Sequence, residues 1–214
     1  MCSTPKALGS TRKTRRVRDP VDTLRKALDR PGGRSSDFDL NADKDKPRHG
    51  TLRPAGVLVP VSVATGEARV LLTKRSSALK HHPGQIAFPG GKQDEGDADV
   101  TAAALREAHE EIGLPTGLPT VLGHLPQHET VTGFLVTPVL AVLERDFAVI
   151  PEKGEVDEVF SVPLDHVTNP ANYLIESRFW RGQRRSYFTV PYGPYYIWGA
   201  TARMLRELAA RIET

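Results

Sequence analysis

The stretch from Gly84 to Leu114, GQIAFPGGKQDEGDADVTAAALREAHEEIGL, constrains the fold more than any other part of the chain. Its second half, Asp99 to Ile112, reads as one amphipathic helix, because Leu105, Ala108 and Ile112 recur at i, i+3 and i+7. Gly113 suits a left-handed cap and Pro115 cannot continue the ladder, so the helix stops there. Three carboxylates, Glu107, Glu110 and Glu111, then share a face roughly opposite the apolar stripe. Like charges so placed cost a few tenths of a kcal/mol per pair, and either water or a cation must offset them. Donors that are all oxygen suit Mg²⁺ or Mn²⁺. Upstream, Phe88-Pro89-Gly90-Gly91 lets the backbone approach an anion or offer a carbonyl to a metal, and Ala103 and Ala104 leave space beside the carboxylates. Together these features describe a site for a metal-bound pyrophosphate.

Arg106-Glu107-Ala108-His109-Glu110-Glu111-Ile112-Gly113-Leu114 resembles the second half of the Nudix box, G-x5-E-x7-R-E-U-x-E-E-x-G-U with U aliphatic, at every specified place. The first half departs from it. Five residues after Gly91 the chain has Asp97 instead of Glu, and eight residues, not seven, separate Asp97 from Arg106. Leu71-Leu72-Thr73-Lys74-Arg75-Ser76-Ser77, Lys80, Gly84 and Phe88-Pro89-Gly90-Gly91 resemble a further signature, that of the coenzyme A pyrophosphatase branch, with Lys80 where that branch usually has Arg. The resemblance covers about residues 51 to 212 and implies an α/β/α sandwich around a mixed β-sheet. It also implies metal-dependent hydrolysis of coenzyme A to 3′,5′-ADP and 4′-phosphopantetheine, with ADP-ribose, NADH and dinucleoside polyphosphates as the other substrates of this class. On this reading Glu107, Glu110, Glu111 and the Gly91 carbonyl hold Mg²⁺ or Mn²⁺, and Arg106 orients the carboxylates. Lys74, Arg75, Lys80, Gly90 and Gly91 meet the phosphates, including the 3′-phosphate. Glu155 or Glu158 supplies an extra carboxylate from outside the box. A non-catalytic nucleotide or RNA binder on the same fold is the reading from a different class, but such a binder has no use for three crowded carboxylates that repel its ligand.

The chain of 214 residues is long enough for one domain plus extensions, and its 39% hydrophobic and 26% charged residues are ordinary for a globular protein. No apolar run approaches membrane-spanning length. Cys2 is the only cysteine, which excludes an intrachain disulfide and fits a reducing cytoplasm. The net charge of +3 is unevenly placed: Lys6, Arg12, Lys13, Arg15, Arg16 and Arg18 all precede the first acid, Asp19. Residues 1 to 18 therefore read as a disordered basic arm, either a plain solvated tail or a presequence-like segment, and nucleic acid is not the expected partner. A small-molecule substrate is expected, on a monomer or homodimer.

In chain order, Val21, Leu24 and Leu28 mark a short docking helix from Pro20 to Arg30 with Asp19 as its cap. Residues 31 to 50 read as linker from their turn formers and charge, so the globular domain is expected to begin near Thr51 and a chain starting at Arg48 to fold. Ala55 to Ala64 and Arg69 to Thr73 form a strand pair, with Pro60 implying a bulge or an edge. His81 and His82 are adjacent, so their side chains diverge, and they suit loop packing or nucleotide stacking better than chelation. Val121 to Leu125 and Phe134 to Leu143 are strands, with His128 or Glu129 between them as candidates to face substrate. Tyr187 to Val190 and Tyr195 to Trp198 read as late strands whose aromatics pack. Ala202, Leu205, Leu208, Ala209 and Ile212 form the stripe of a closing helix.

Overall fold

The computed structural model describes residues 19–41, 50–180 and 182–213. The basic arm, residues 1–18, lies outside them. At the centre run two long parallel strands, β2 (Arg53–Ser62) and β8 (Phe134–Leu143), in register from Arg53 with Phe134 to Ser62 with Leu143. Both are near-continuous apolar runs, as strands covered on two faces must be. Alternation along them divides the core. Leu58, Val139, Ala141 and Leu143 pack on one face, while Val59, Val61, Leu140 and Val142 belong to a second cluster on the other.

Around this pair the sheet is mixed. β3 (Arg69–Arg75) and β5 (Gly90–Lys92) lie antiparallel to β2, and β4 (Ile86–Ala87) and β9 (Val156–Pro163) extend from β3. β6 (Thr120–His124) and β7 (His128–Glu129) pair with β8, and β1 (Ser35–Ser36) pairs with β7 in parallel. The helix α2 (Val100–Ile112) covers the first face through Ala104, Ala108 and Ile112. The other face carries α1 (Pro20–Leu28) and α4 (Gly199–Glu213), whose Leu24, Ala202, Leu205 and Leu208 are buried there. A short helix α3 (Leu164–Thr168) follows β9. The result is the expected α/β/α sandwich. Among the described residues no helix is long and apolar enough to cross a membrane.

Several expectations need correction. Residues 33–41 are not linker: β1 joins the sheet, Phe38 is buried, and the Asn41 side chain both donates to the Ser186 carbonyl at 2.9 Å and accepts from its N–H at 2.8 Å. Turn formers there serve a tightly bonded strap rather than a free connection. Pro60 sits on neither an edge nor a bulge; it falls between the β5 and β3 pairings of an interior strand, where no ladder partner requires its missing N–H. The segment from Tyr195 to Trp198 makes only isolated bridges, and the late strands are instead a hairpin of β10 (Leu174–Trp180) and β11 (Gln183–Thr189), separate from the main sheet. Ala103 and Ala104 leave no room for a ligand. They are fully buried because α2 lies so close to β2 that a Cβ on Gly56 would meet the Val100 carbonyl oxygen at 2.0 Å.

Candidate active site

The site is built where α2 crosses β5. Asp99 caps the helix by accepting from the Ala102 N–H at 2.8 Å, and Gly113 ends it in the left-handed conformation at φ 71°. This fixes the rotation of α2, and with it the carboxylates. Glu111 is not opposite the apolar stripe but beside it, with only 4% of its surface exposed. Its Oε2 accepts from the Gly90 N–H at 3.1 Å, and Arg75 Nη1 stands 3.9 Å from its Oε1. Glu107 faces Gly91 so closely that a Cβ at that position would meet Glu107 Oε1 at 2.4 Å. The two glycines thus serve a close approach of backbone to carboxylates.

Glu110 points outward and binds Arg106 Nη1 at 2.9 Å. Arg106 is the organiser of this corner. Its Nε and Nη2 donate to the two oxygens of Asp97, both at 2.9 Å, and its Nη1 also lies 3.1 Å from Glu107 Oε1. Asp97 is itself held by the Asp94 N–H at 2.9 Å. The shorter aspartate, displaced by one residue of extra spacing, therefore holds the arginine as a bidentate partner. The Arg106 guanidinium and the Asp94 N–H hold the Asp97 carboxyl below its usual range.

Burial acts in the opposite sense on the other two acids. It raises Glu107, against the pull of Arg106, and pushes Glu111 up to about 7, against the Gly90 N–H and Arg75. The charge of Glu155 raises both, which places this candidate carboxylate electrostatically with the pair; its carbonyl accepts from the Ser76 N–H at 2.8 Å. Glu158 is engaged elsewhere, accepting from the Tyr195 hydroxyl.

The raised Glu111 makes stability depend on pH. A carboxyl whose folded pKa, about 7, lies above its ordinary 4.5 binds more protons in the native state across that window. The stability it contributes is therefore complete below about pH 4.5 and lost as pH rises through about 7, a change on the order of 2 to 3 kcal/mol. Thermal melts of metal-free protein in chelator, from about pH 5 to about pH 8, should show wild type falling relative to Glu111→Gln as pH rises. Parallel curves for the two proteins would contradict this.

Gly90 also opens onto a cavity of about 550 Å³. Arg75, Lys80, His81 and His82 line it; Lys74 does not, because it alternates to the other side of β3, where its charge acts on Asp157. His128 is not at the cavity. It is fully buried, with Nδ1 2.9 Å from the Ser35 hydroxyl and Nε2 3.1 Å from Asp37 Oδ1, and so ties β1 to β7; Glu129 is buried beside it. Sequence reasoning missed the opposite contributors: Asp37 and Asn41 from the strap, and Arg178, Arg185, Tyr187 and Trp198 from the hairpin region, all line the cavity. The signal available was the alternation of arginines and aromatics from Arg178 to Tyr187. Tyr187 and Trp198 meet edge to face at 5.2 Å, so the aromatics pack as expected, but they do so in the cavity wall.

A divalent cation fits the chemistry of this corner. Glu107 and Glu111 are acids raised by burial, and Arg106, the cation nearest Glu107, is already committed to Asp97 and Glu110. Among the described residues no three acidic or imidazole side chains converge into a ready cage, since Glu110 is drawn out to Arg106.

Comparison with known proteins bears on what this corner is. The NUDIX domain family profile matches residues 52–180. An Enterobacter protein named as an uncharacterised Nudix hydrolase, NudL, is 42% identical over 160 residues, covering 75% of this chain and 83% of its own length. A Cronobacter sakazakii protein of the same name is 43% identical over the same coverage. Among solved structures, the Nudix hydrolase RenU of M. smegmatis is 28% identical with a TM-score of 0.47, over 56% of this chain and 76% of that one. With the family profile matched over most of the chain and relatives above 40% identity, this chain belongs to the Nudix hydrolase family.

Proposed function

We propose that this Nudix pyrophosphatase hydrolyses the diphosphate bond of coenzyme A or its thioesters, releasing 3′,5′-ADP and 4′-phosphopantetheine or its acyl form. The observation that supports this reading most is the adjacency of the half-buried Glu107 and the buried Glu111 to a large cavity whose permanent charges are Arg75, Lys80, Arg178 and Arg185 against the single carboxylate of Asp37. Such a lining attracts a multiply charged phosphate ester and brings its diphosphate to the acids. Glu107, Glu110 and Glu111, with the Gly91 carbonyl, would hold Mg²⁺ or Mn²⁺, which when bound neutralises the diphosphate and lowers the pKa of a coordinated water. Arg106 positions Glu107 and Glu110, while Arg75 and Lys80 neutralise phosphate oxygens on the cavity side. The Gly90 N–H, which now holds Glu111 Oε2, keeps that oxygen facing the β5 backbone. With Cys2 as the only cysteine, a cytoplasmic setting follows naturally.

A panel of coenzyme A, acetyl-coenzyme A, ADP-ribose, NADH and a dinucleoside tetraphosphate, each assayed with Mg²⁺ and with Mn²⁺, tests the reading. Coenzyme A or its thioester should give the highest kcat/KM by at least about tenfold, the factor set by one charge-assisted hydrogen bond. A higher kcat/KM for ADP-ribose or the dinucleoside tetraphosphate would overturn the substrate and leave the metal-dependent chemistry.

A further inference from the structure

Two arginines face each other across the β10–β11 hairpin. Arg178 on β10 is the direct cross-strand partner of Arg185 on β11, and both line the cavity. Like charges placed directly opposite on a two-stranded ribbon are unfavourable unless an anion lies between or beside them. Among the described residues no carboxylate pairs with the Arg178 side chain. Glu176, on the same face, accepts from the Tyr196 hydroxyl, and Asp37, the acid of the cavity lining, is held by His128 and by the Val131 N–H at 2.8 Å.

Arg178 is also pre-positioned. Its guanidinium lies 4.0 Å from the centre of the Trp198 ring and 5.9 Å from that of Tyr187, and among the described residues its side chain makes no hydrogen bond or ion pair. Stacking on the ring fixes the plane of the fork and leaves its N–H edges for a ligand, the geometry that favours Arg over Lys for a phosphate. The hairpin is a separate sheet from the one that carries Arg75 and Gly90, and Glu111 stands on α2 against that main sheet. The cavity thus has one set of cations beside the acids and a second set on another wall.

We propose that Arg178, supported by Arg185, binds a second anionic group of the substrate, a phosphomonoester on the nucleoside portion distinct from the diphosphate that is cleaved. This rests on the coenzyme A reading and moves recognition of the 3′-phosphate from the segment containing Lys74, Arg75 and Lys80 to the hairpin. Arg178 is a specificity residue, not a catalytic one. It selects substrates bearing the extra phosphate.

The test compares coenzyme A with 3′-dephospho-coenzyme A, and 3′,5′-ADP with 5′-AMP as inhibitors, in wild type, Arg178→Ala and Arg178→Lys. Wild type should prefer coenzyme A by roughly 10-fold to several hundred-fold in kcat/KM. Arg178→Ala should cut that preference to within about threefold, mainly through KM, and should abolish the tighter inhibition by 3′,5′-ADP; Arg178→Lys should restore part of both. A preference that survives Arg178→Ala undiminished would overturn the hairpin assignment while leaving the coenzyme A reading intact. Equal kcat/KM for both substrates in wild type, with no difference between the two inhibitors, would overturn the assignment directly. Hydrolysis of other diphosphates but of neither coenzyme A form would sink the substrate reading, and the inhibitor comparison in wild type and Arg178→Ala would then decide the hairpin's role alone.

Discussion

Glu107→Gln and Glu111→Gln are each expected to lower kcat by at least about two orders of magnitude while leaving the fold in place. Glutamine keeps the shape at both positions and, at residue 111, an oxygen that can still accept from the Gly90 N–H. What it removes is negative charge, which acts on the charge distribution of the transition state and on cation binding, so the loss falls on kcat. Folding should be neutral or improved, because both carboxyls are raised by burial and an amide avoids the cost of burying charge. Circular dichroism and steady-state rates with Mg²⁺ and Mn²⁺, measured on the same samples, check this. Near-wild-type turnover in both variants would remove the acids of α2 from the mechanism.

A chain beginning at Arg48 is expected to lose its soluble, cooperatively folded state. Deleting residues 1–47 removes α1 and the strap, and with them Leu24, Ala27 and Phe38 from the core. Arg211, itself buried, would lose the Ala27 and Arg30 carbonyls that accept from its Nη1 at 3.1 and 2.8 Å, and His128 would lose both its partners. A large apolar side chain taken from a core costs about 2 to 5 kcal/mol, and an unpaired buried polar group about 1 to 3 more. Against a typical stability of about 5 to 15 kcal/mol, the sum leaves little. Leu24→Ala in the full chain should show the milder form, a loss of about 2 to 5 kcal/mol in denaturant unfolding. A cooperative melt of the truncated chain near the wild-type temperature would contradict the packing seen for α1.

The contrast between the two halves of the chain shows where sequence reasoning works. The helix from Val100 to Ile112 was legible because capping, periodicity and the acidic triplet all act within a few residues of one another, and the same holds for β8 and for the stripe of α4. The strap was not legible, because what orders it is distant: Ser35 finds His128, and Asn41 finds Ser186. Composition reports only the local preference of such residues for turns. Asp97 illustrates an intermediate case. Its spacing from Arg106 departs from the Nudix box, yet the bend held by the Asp94 N–H takes up the extra residue and restores the pairing. The hairpin was half legible, since its aromatics announced burial but nothing local revealed that Arg178 and Arg185 would share a wall with Arg75.

The hairpin's attachment has a consequence for how such an enzyme diversifies. It belongs to a different sheet from the one that α2, the helix of the acids, packs on, and the Asn41 side chain clasps it through the Ser186 backbone, a link indifferent to which side chain residue 186 carries. Substitutions along β10 and β11 can therefore accumulate without disturbing α2, β5 or the Arg106–Asp97 pair. On the proposed assignment of Arg178, selection acting on the hairpin would retune which molecule is chosen, and selection acting on the helix would preserve how its bond is broken. A lineage built this way can change diet while inheriting its chemistry intact.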